Sequence, residues 1–365
     1  MATTRLLRRI NAQRVLDALR AGGPLRVTEL VSLTGLSRPT VDAVADELVR
    51  LGWVSEMAAV EGARGRPARS LTFRADAGHV VGVDIGEVKV RVVVADLTGN
   101  VVAERVRVFA GENRLAVTLA TAAGTLSDAS IGTRDLVSAC IGCTGAMDTP
   151  NGRVIFSTIF PDGYDLAGAL EPVLGPATVE NDCNLAALGE RWCGAAQGID
   201  DLLCVLAAER IGAGIMVGGQ IMRGHAGAAG EMAFLGSYEA EPGASGISQF
   251  VRKLSGEAPE AVFAAAATGD ERAQAIVERV ERWAGGGIVM TAQIVNPEIV
   301  VISGGVARAG EVLLEPLRER MQRTVRLPPR LVASPLAERA PLLGAIRRAL
   351  DDLEPRLLSA LDEAA

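Results

Sequence analysis

The chain has 365 residues, 49% hydrophobic and 22% charged, a composition that excludes a disordered or fibrous protein and allows two or three folded units. Its net charge is −7, yet residues 1–75 hold twelve arginines, no lysine and seven acids, a net of +5 that leaves −12 for the remainder. A small basic head on a large acidic body implies that the head meets a polyanion and the body does not.

No apolar run approaches the ~20 residues needed to cross a bilayer. The opening MATTRLLRRINAQ lacks the apolar segment of a secretory signal. A cytoplasmic protein with no membrane partner is therefore expected. Five cysteines (Cys140, Cys143, Cys183, Cys193 and Cys204) lie in apolar surroundings and are expected as buried, reduced thiols. Two histidines, His79 and His225, are too few for a His-rich metal site, and a Ser-His-Asp hydrolase does not fit.

In chain order, Ile10, Val15, Leu16 and Leu19 form an apolar helical stripe that Gly22-Gly23-Pro24 ends. A second helix is predicted from about Thr28, with Leu30, Val31 and Leu33 turned inward. Gly35 supplies a tight turn and Leu36 an apolar plug. Ser37 is a good N-cap with Pro39 in the first turn, and Val41, Val44, Leu48 and Leu51 repeat as the buried face of a third helix. This leaves Ser37, Arg38 and Thr40 on an exposed first turn, which fits the ~12 Å major groove of double-stranded DNA. Trp53 to Glu56 then reads as a strand, and Leu71 to Phe73 as its return. The segment GARGRPARS between them carries Arg64, Arg66 and Arg69, suited to phosphates or a minor groove. Residues 1–75 are thus a predicted winged helix-turn-helix DNA-binding domain.

From residue 79 three β-rich runs are predicted, at about 80–85, 88–96 and 100–108, and a comparable unit recurs at about 202–223. Helices are predicted at about 114–128, 165–174 and 183–195. Two more fall within 258–296, followed by 309–323 and 341–362. Two similar α/β halves separated by ~120 residues suggest a bilobed body with a cleft between the lobes. The predicted lobes are 76–180 and 181–365, with the final helix (Leu342, Leu343, Ile346, Leu350, Leu353) packing back on the first. Cys140 and Cys143 lie in a β-rich run, where residues three apart face opposite sides, so they are not a zinc pair.

Five segments carry a resemblance: GVDIG (82–86), IGCTGAMD (141–148), VENDCNLAALGE (179–190), IGAGIMVGGQIMRGHAGAAGEMA (211–233) and NPEIVVISGGVARAG (296–310). Together they resemble the ROK family of repressors and kinases, within the actin-like ATPase and sugar kinase superfamily. With the head, the architecture is similar to the family's xylose- and N-acetylglucosamine-responsive repressors. The implied fold is α/β: an N-terminal winged helix-turn-helix followed by a bilobed, actin-like sugar-kinase domain.

The resemblance implies an ATP site that this chain departs from. A kinase cradles phosphates with glycine turns and a metal. The family's first turn, Asp-x-Gly-Gly-Thr, is here Asp84-Ile85-Gly86-Glu87-Val88. Its second, Gly-Thr-Gly, is here Ala208-Glu209-Arg210. Two added carboxylates beside a triphosphate should cost several kcal/mol, one of them offset by Arg210. The sugar side is retained: Asn181 and Asp182 match the family's sugar-hydroxyl ligands, Asp182 matching its catalytic base. Gly145 lets backbone approach the ring, and Glu231 matches the glutamate of Gly-Glu-Ile-Gly-His. Asn181 is equally a helix N-cap by position. The histidine of that motif is Phe234 here, and the zinc-binding cysteines are missing from 235–250. Ile299 to Gly305 resembles the family's adenosine strand and turn, expected here as scaffold.

The implied protein is a repressor that senses a sugar or sugar derivative through a pseudokinase body. It is expected to act as a homodimer or dimer of dimers on a DNA operator, with no catalytic residue, metal or cofactor. Two alternatives remain open: a bifunctional sugar kinase with a DNA-binding head, and a regulator whose body is a protein-interaction module.

Overall fold

The structure, a computed structural model, describes residues 2–57, 69–232 and 246–363. In the head, α1 (Ala2–Gly22) is followed by β1 (Leu25–Arg26), α2 (Val27–Thr34), α3 (Arg38–Arg50), β2 (Val54–Met57) and β3 (Ser70–Phe73). Ser37 is extended and its Oγ accepts the Thr40 N–H, so the backbone enters α3 already capped. Gly35 turns the chain between α2 and α3 in the left-handed region. The three strands form an antiparallel sheet in the order β1-β3-β2. The two-residue β1 carries no sequence signal of its own.

Val15, Leu16 and Leu19 of α1, Leu30 of α2 and Val41 and Leu48 of α3 are fully buried. Each such side chain contributes about 1.5–3 kcal/mol of apolar transfer. Two expectations fail here. Ile10 is 41% exposed, because Ala12 takes its place where α1 meets the other helices. Leu33 is 63% exposed, because the inward stripe of the eight-residue α2 starts at Val27 and Leu30 and leaves residue 33 on the far side.

The first lobe comprises β4 (His79–Ile85), β5 (Lys89–Asp96), β6 (Val101–Val108), α4 (Arg114–Asp128), β7 (Leu136–Cys143), the small hairpin β8 (Ala146–Asp148) and β9 (Arg153–Phe156), α5 (Leu166–Leu174) and β10 (Ala177–Asn181). Helix α6 (Asp182–Cys193) leads to the second lobe. That lobe holds β11 (Leu202–Ala207), β12 (Ile211–Val217), β13 (Gln220–Ile221), α7 (Ile247–Ser255), α8 (Pro259–Ala267), α9 (Glu271–Val295), β14 (Ile299–Ser303), α10 (Glu311–Thr324) and β15 (Arg330–Ala333), and α11 (Ala340–Glu363) closes the chain. The duplication is plain in the topology. One sheet runs β10-β7-β4-β5-β6 and the other β15-β14-β11-β12-β13, each an antiparallel three-strand meander extended by two parallel strands. The central strands β4, β7, β11 and β14 are apolar on both faces because helices cover both sides. Helix α7 was not anticipated.

Cys140 and Cys143 are both buried on β7 but on opposite faces. One sits in the layer shared with α11, the other in the layer beneath α4 and α5. The five cysteines are unpaired, and Cys193 departs from expectation: it is exposed, because it ends α6 where the helix leaves the core.

Helix α11 packs on α6, β4 and β7 and also touches α1 of the head. The crossing of α6 and α11 is close. A Cβ on Gly344 would overlap the Leu185 carbonyl, and one on Gly189 the Ala340 carbonyl, so the two backbones meet through glycines. One apolar cluster runs from Leu16 and Leu19 through Val80 and Val93 to Ile346 and Leu353. Head and first lobe therefore share a core.

Candidate functional site

On the head, Arg38 opens α3 with its side chain 69% exposed, its Nε 3.8 Å from Asp42. Ser37 Oγ lies 2.7 Å from Thr40 Oγ1, so the two hydroxyls stabilise the helix start. Arg64 and Arg66 lie outside the described residues. Arg69, expected with them as a DNA contact, is engaged within the head. Its Nε donates to Glu56 Oε1 at 2.8 Å and its Nη2 is 2.7 Å from Asp46 Oδ1. These bonds tie the base of β3 to β2 and to α3.

In the body, a cleft of about 320 Å³ opens between the two sheets. The ends of β4, β7 and β10 supply Asp84, Thr144, Gly145, Asn181 and Asp182 from one side. Parallel strands end together, so their C-terminal residues converge on one crevice. Gly145 has φ +108, and any Cβ there would overlap the Phe156 carbonyl. Its own carbonyl accepts Asn181 Nδ2 at 2.7 Å. Asn181 Oδ1 in turn accepts the Asn184 N–H at 3.0 Å, capping α6. Capping and cleft placement therefore coexist, and one amide N–H is left for a ligand.

Asp182 opens α6, where Oδ1 accepts the Cys183 N–H at 2.9 Å. Burial, then the charges of Asp84 and Glu231, push its carboxyl up to about 7. Burial also pushes Asp84 up, against its ion pair with Arg91 Nη1 at 3.2 Å. Glu231, likewise raised by burial, is opposed by the charge of Arg210. Gly145, Asn181, Asp182 and Glu231 are thus brought to one cavity. Behind them Glu180 is buried and accepts from Asn184 Nδ2 at 2.9 Å and Arg223 Nε at 2.8 Å, which fixes the β10–α6 junction.

The other half of the cavity is lined by Glu87, Glu209, Arg210, Glu260, Gly304 and Gly305, among others. Oε2 of Glu87 is buried without a hydrogen-bond partner. The partner of Glu209 is not Arg210 but Arg252 of α7, which forms an ion pair with it.

Two residues of this half were missed by sequence reasoning. Arg91 is buried on β5, and Glu338 precedes α11. Glu338 lies 3.3 Å from Arg91, 3.6 Å from Lys89 and 3.5 Å from Arg308, so it links elements of both lobes. Burial raises the Glu338 carboxyl, but Lys89, Arg91 and Arg308 outweigh it and hold the group below its ordinary range. A lone arginine within KVRVVVAD was the available signal for Arg91; nothing local marks Glu338. Phe234 and residues 235–245 lie outside the described residues. Among the described residues no cluster of three or more metal-ligating side chains occurs, and no helix is long and apolar enough to cross a membrane.

The ROK family pattern matches residues 80–242 and 237–351, and the IclR helix-turn-helix domain pattern matches residues 10–56. A glucokinase of Thermotoga maritima is 32% identical over 304 residues, covering 73% of this chain and 95% of its own length. A xylose repressor of Caldicellulosiruptor bescii is 24% identical over 392 residues, covering 97% and 98%. The crystal structure of a ROK family transcriptional regulator, described as a homolog of the E. coli MLC protein, shares the fold. Its TM-score is 0.77 at 22% identity, and the match covers 96% of this chain and 98% of that one. With the family pattern spanning both lobes and the helix-turn-helix pattern ahead of it, the chain belongs to the ROK family.

Proposed function

We propose that the protein is a DNA-binding transcriptional repressor whose body senses a sugar or sugar derivative without phosphorylating it. Residues 1–75 form the DNA-binding head, and 76–180 and 181–365 the two lobes of the sensor. Ser37, Arg38, Thr40, Arg64 and Arg66 face DNA, while Gly145, Asn181, Asp182 and Glu231 hold the effector. The helix-turn-helix match and the full-length likeness to a xylose repressor support this reading.

The observation that carries it is the contrast within one cavity. The sugar half keeps its carboxylates and backbone cradle. The nucleotide half replaces both phosphate turns with Glu87-Val88 and Ala208-Glu209-Arg210. Two heads on a symmetric operator need half-sites about one turn (~34 Å) or a multiple apart, so a homodimer or dimer of dimers is the working unit. Effector binding acts by changing lobe closure, which α11 passes to α1 through the shared core.

One observation favours a second reading, a bifunctional kinase. An Asp182 carboxyl at about 7 is well placed for a general base. One experiment separates the two readings. Thermal-shift screening of sugars with and without MgATP is run beside an ADP-release assay. A sensor gains about 2.7 kcal/mol at 100 times the dissociation constant of its effector and releases no ADP. Turnover that exceeds an Asp182→Asn control overturns the proposal in favour of the kinase.

A further inference from the structure

The cleft carries a charge pattern that selects among sugars by their own charge. Among the described residues, seven carboxylates and three cations line it. Two of the three cations are held in ion pairs with lining carboxylates. Lys89 and Arg91 are tied to Glu338, Arg91 is also tied to Asp84, and Arg210 offsets Glu231. The carboxylates stand on both sides of the retained sugar ligands. Asp84 and Glu231 flank Asp182, and Glu87 and Glu260 line the former nucleotide half. An independent observation points the same way: Glu87 Oε2 is buried with no partner and offers an acceptor that only a donor satisfies.

We infer that the effector is an unphosphorylated, non-anionic carbohydrate, and that Glu87 and Glu260 act as specificity determinants that reject its phosphate ester. The inference rests on the sensor reading above. A sugar hydroxyl donates to a carboxylate, and a neutral polyol satisfies acids without a counter-charge. A phosphoryl group carries about −1.5 to −2 charges at pH 7 and donates little. Held ~5 Å from one ionised carboxylate, at an effective dielectric constant of ~20, each unit of its charge weakens binding about 100-fold. Carboxylates outnumber cations seven to three among the lining residues, so the cleft does not offset this.

The test is calorimetric titration of the full-length protein with glucose, xylose and their 1-phosphates, glucose 6-phosphate and xylose 5-phosphate. The expected result is that a free sugar binds at least 100-fold more tightly than its phosphate. Glu87→Gln combined with Glu260→Gln should narrow that ratio by tenfold or more, with melting temperature measured alongside to establish that the variant is folded. A phosphate ester that binds as tightly as the parent sugar overturns the inference and leaves the sensor reading standing. A ratio unchanged in the folded double variant removes Glu87 and Glu260 from the role. Binding of neither class, for any pair, overturns the inference together with the sensor reading.

Discussion

Asp182 makes the body most sensitive to pH, and Asp182→Asn isolates that sensitivity. Its carboxyl is raised from an ordinary value of 3.8 to about 7 in the folded chain, by burial first and then by Asp84 and Glu231. The folded state therefore binds this proton more tightly than the unfolded state does. Stability from this group is full below about pH 4, falls as pH rises towards 7, and is level above that. The raised value corresponds to a loss on the order of 4 kcal/mol across the window. Asparagine fills nearly the same volume without ionising, so the variant should match the parent near pH 4 and exceed it at pH 8. At 2–4 °C per kcal/mol for a unit of 150–250 residues, the difference in melting temperature should approach roughly 10 °C.

Differential scanning calorimetry of both proteins from pH 4 to 8.5, without ligand, reads this directly. Parallel stability curves for the two proteins, or a less stable variant at pH 8, would refute the argument. The same proton competes with the effector. An ionised Asp182 accepts hydroxyl hydrogen bonds, so affinity should drop about fivefold between pH 7 and pH 6, and Asp182→Asn should abolish that dependence.

Two further outcomes follow from specific contacts. Arg64→Ala with Arg66→Ala should weaken operator binding and lower its logarithmic salt slope by about 1 per residue, whereas Arg69→Ala should leave the slope unchanged because Asp46 and Glu56 already hold that guanidinium; fluorescence anisotropy across a salt series reads both, and a slope lowered by Arg69→Ala would put that residue on a phosphate. Gly344→Ala should destabilise the body by about 1–3 kcal/mol, since its methyl overlaps the Leu185 carbonyl at the α6–α11 crossing; an unchanged urea midpoint would show that the helices do not meet there.

Local signals recovered the head well because its helices are short, capped and periodic. Ser37 and Pro39 mark the start of α3, and Gly35 marks the turn before it. The errors at Ile10 and Leu33 share a cause. An apolar side chain on the right helical phase is buried only if another element covers it, and both residues stay exposed. In the body the repeat of strand runs predicted the duplicated sheets, because continuous β-branched apolar runs bounded by glycine turns are local properties.

The sequence alone places Glu87, Val88 and Glu209 where the family resemblance expects glycine and threonine, a change of charge and bulk that holds wherever the backbone goes. It also determined that Asn181 both ends a strand and starts a helix. Which charges neutralise which emerges only on folding. Arg252 rather than Arg210 pairs with Glu209, Arg69 turns to Asp46 and Glu56, and Glu338 gathers Lys89, Arg91 and Arg308 from both lobes. The physical reason is range: an ion pair depends on distance in space and has no sequence period. A charge's partner is therefore unreadable until the chain has brought distant segments within about 4 Å of each other.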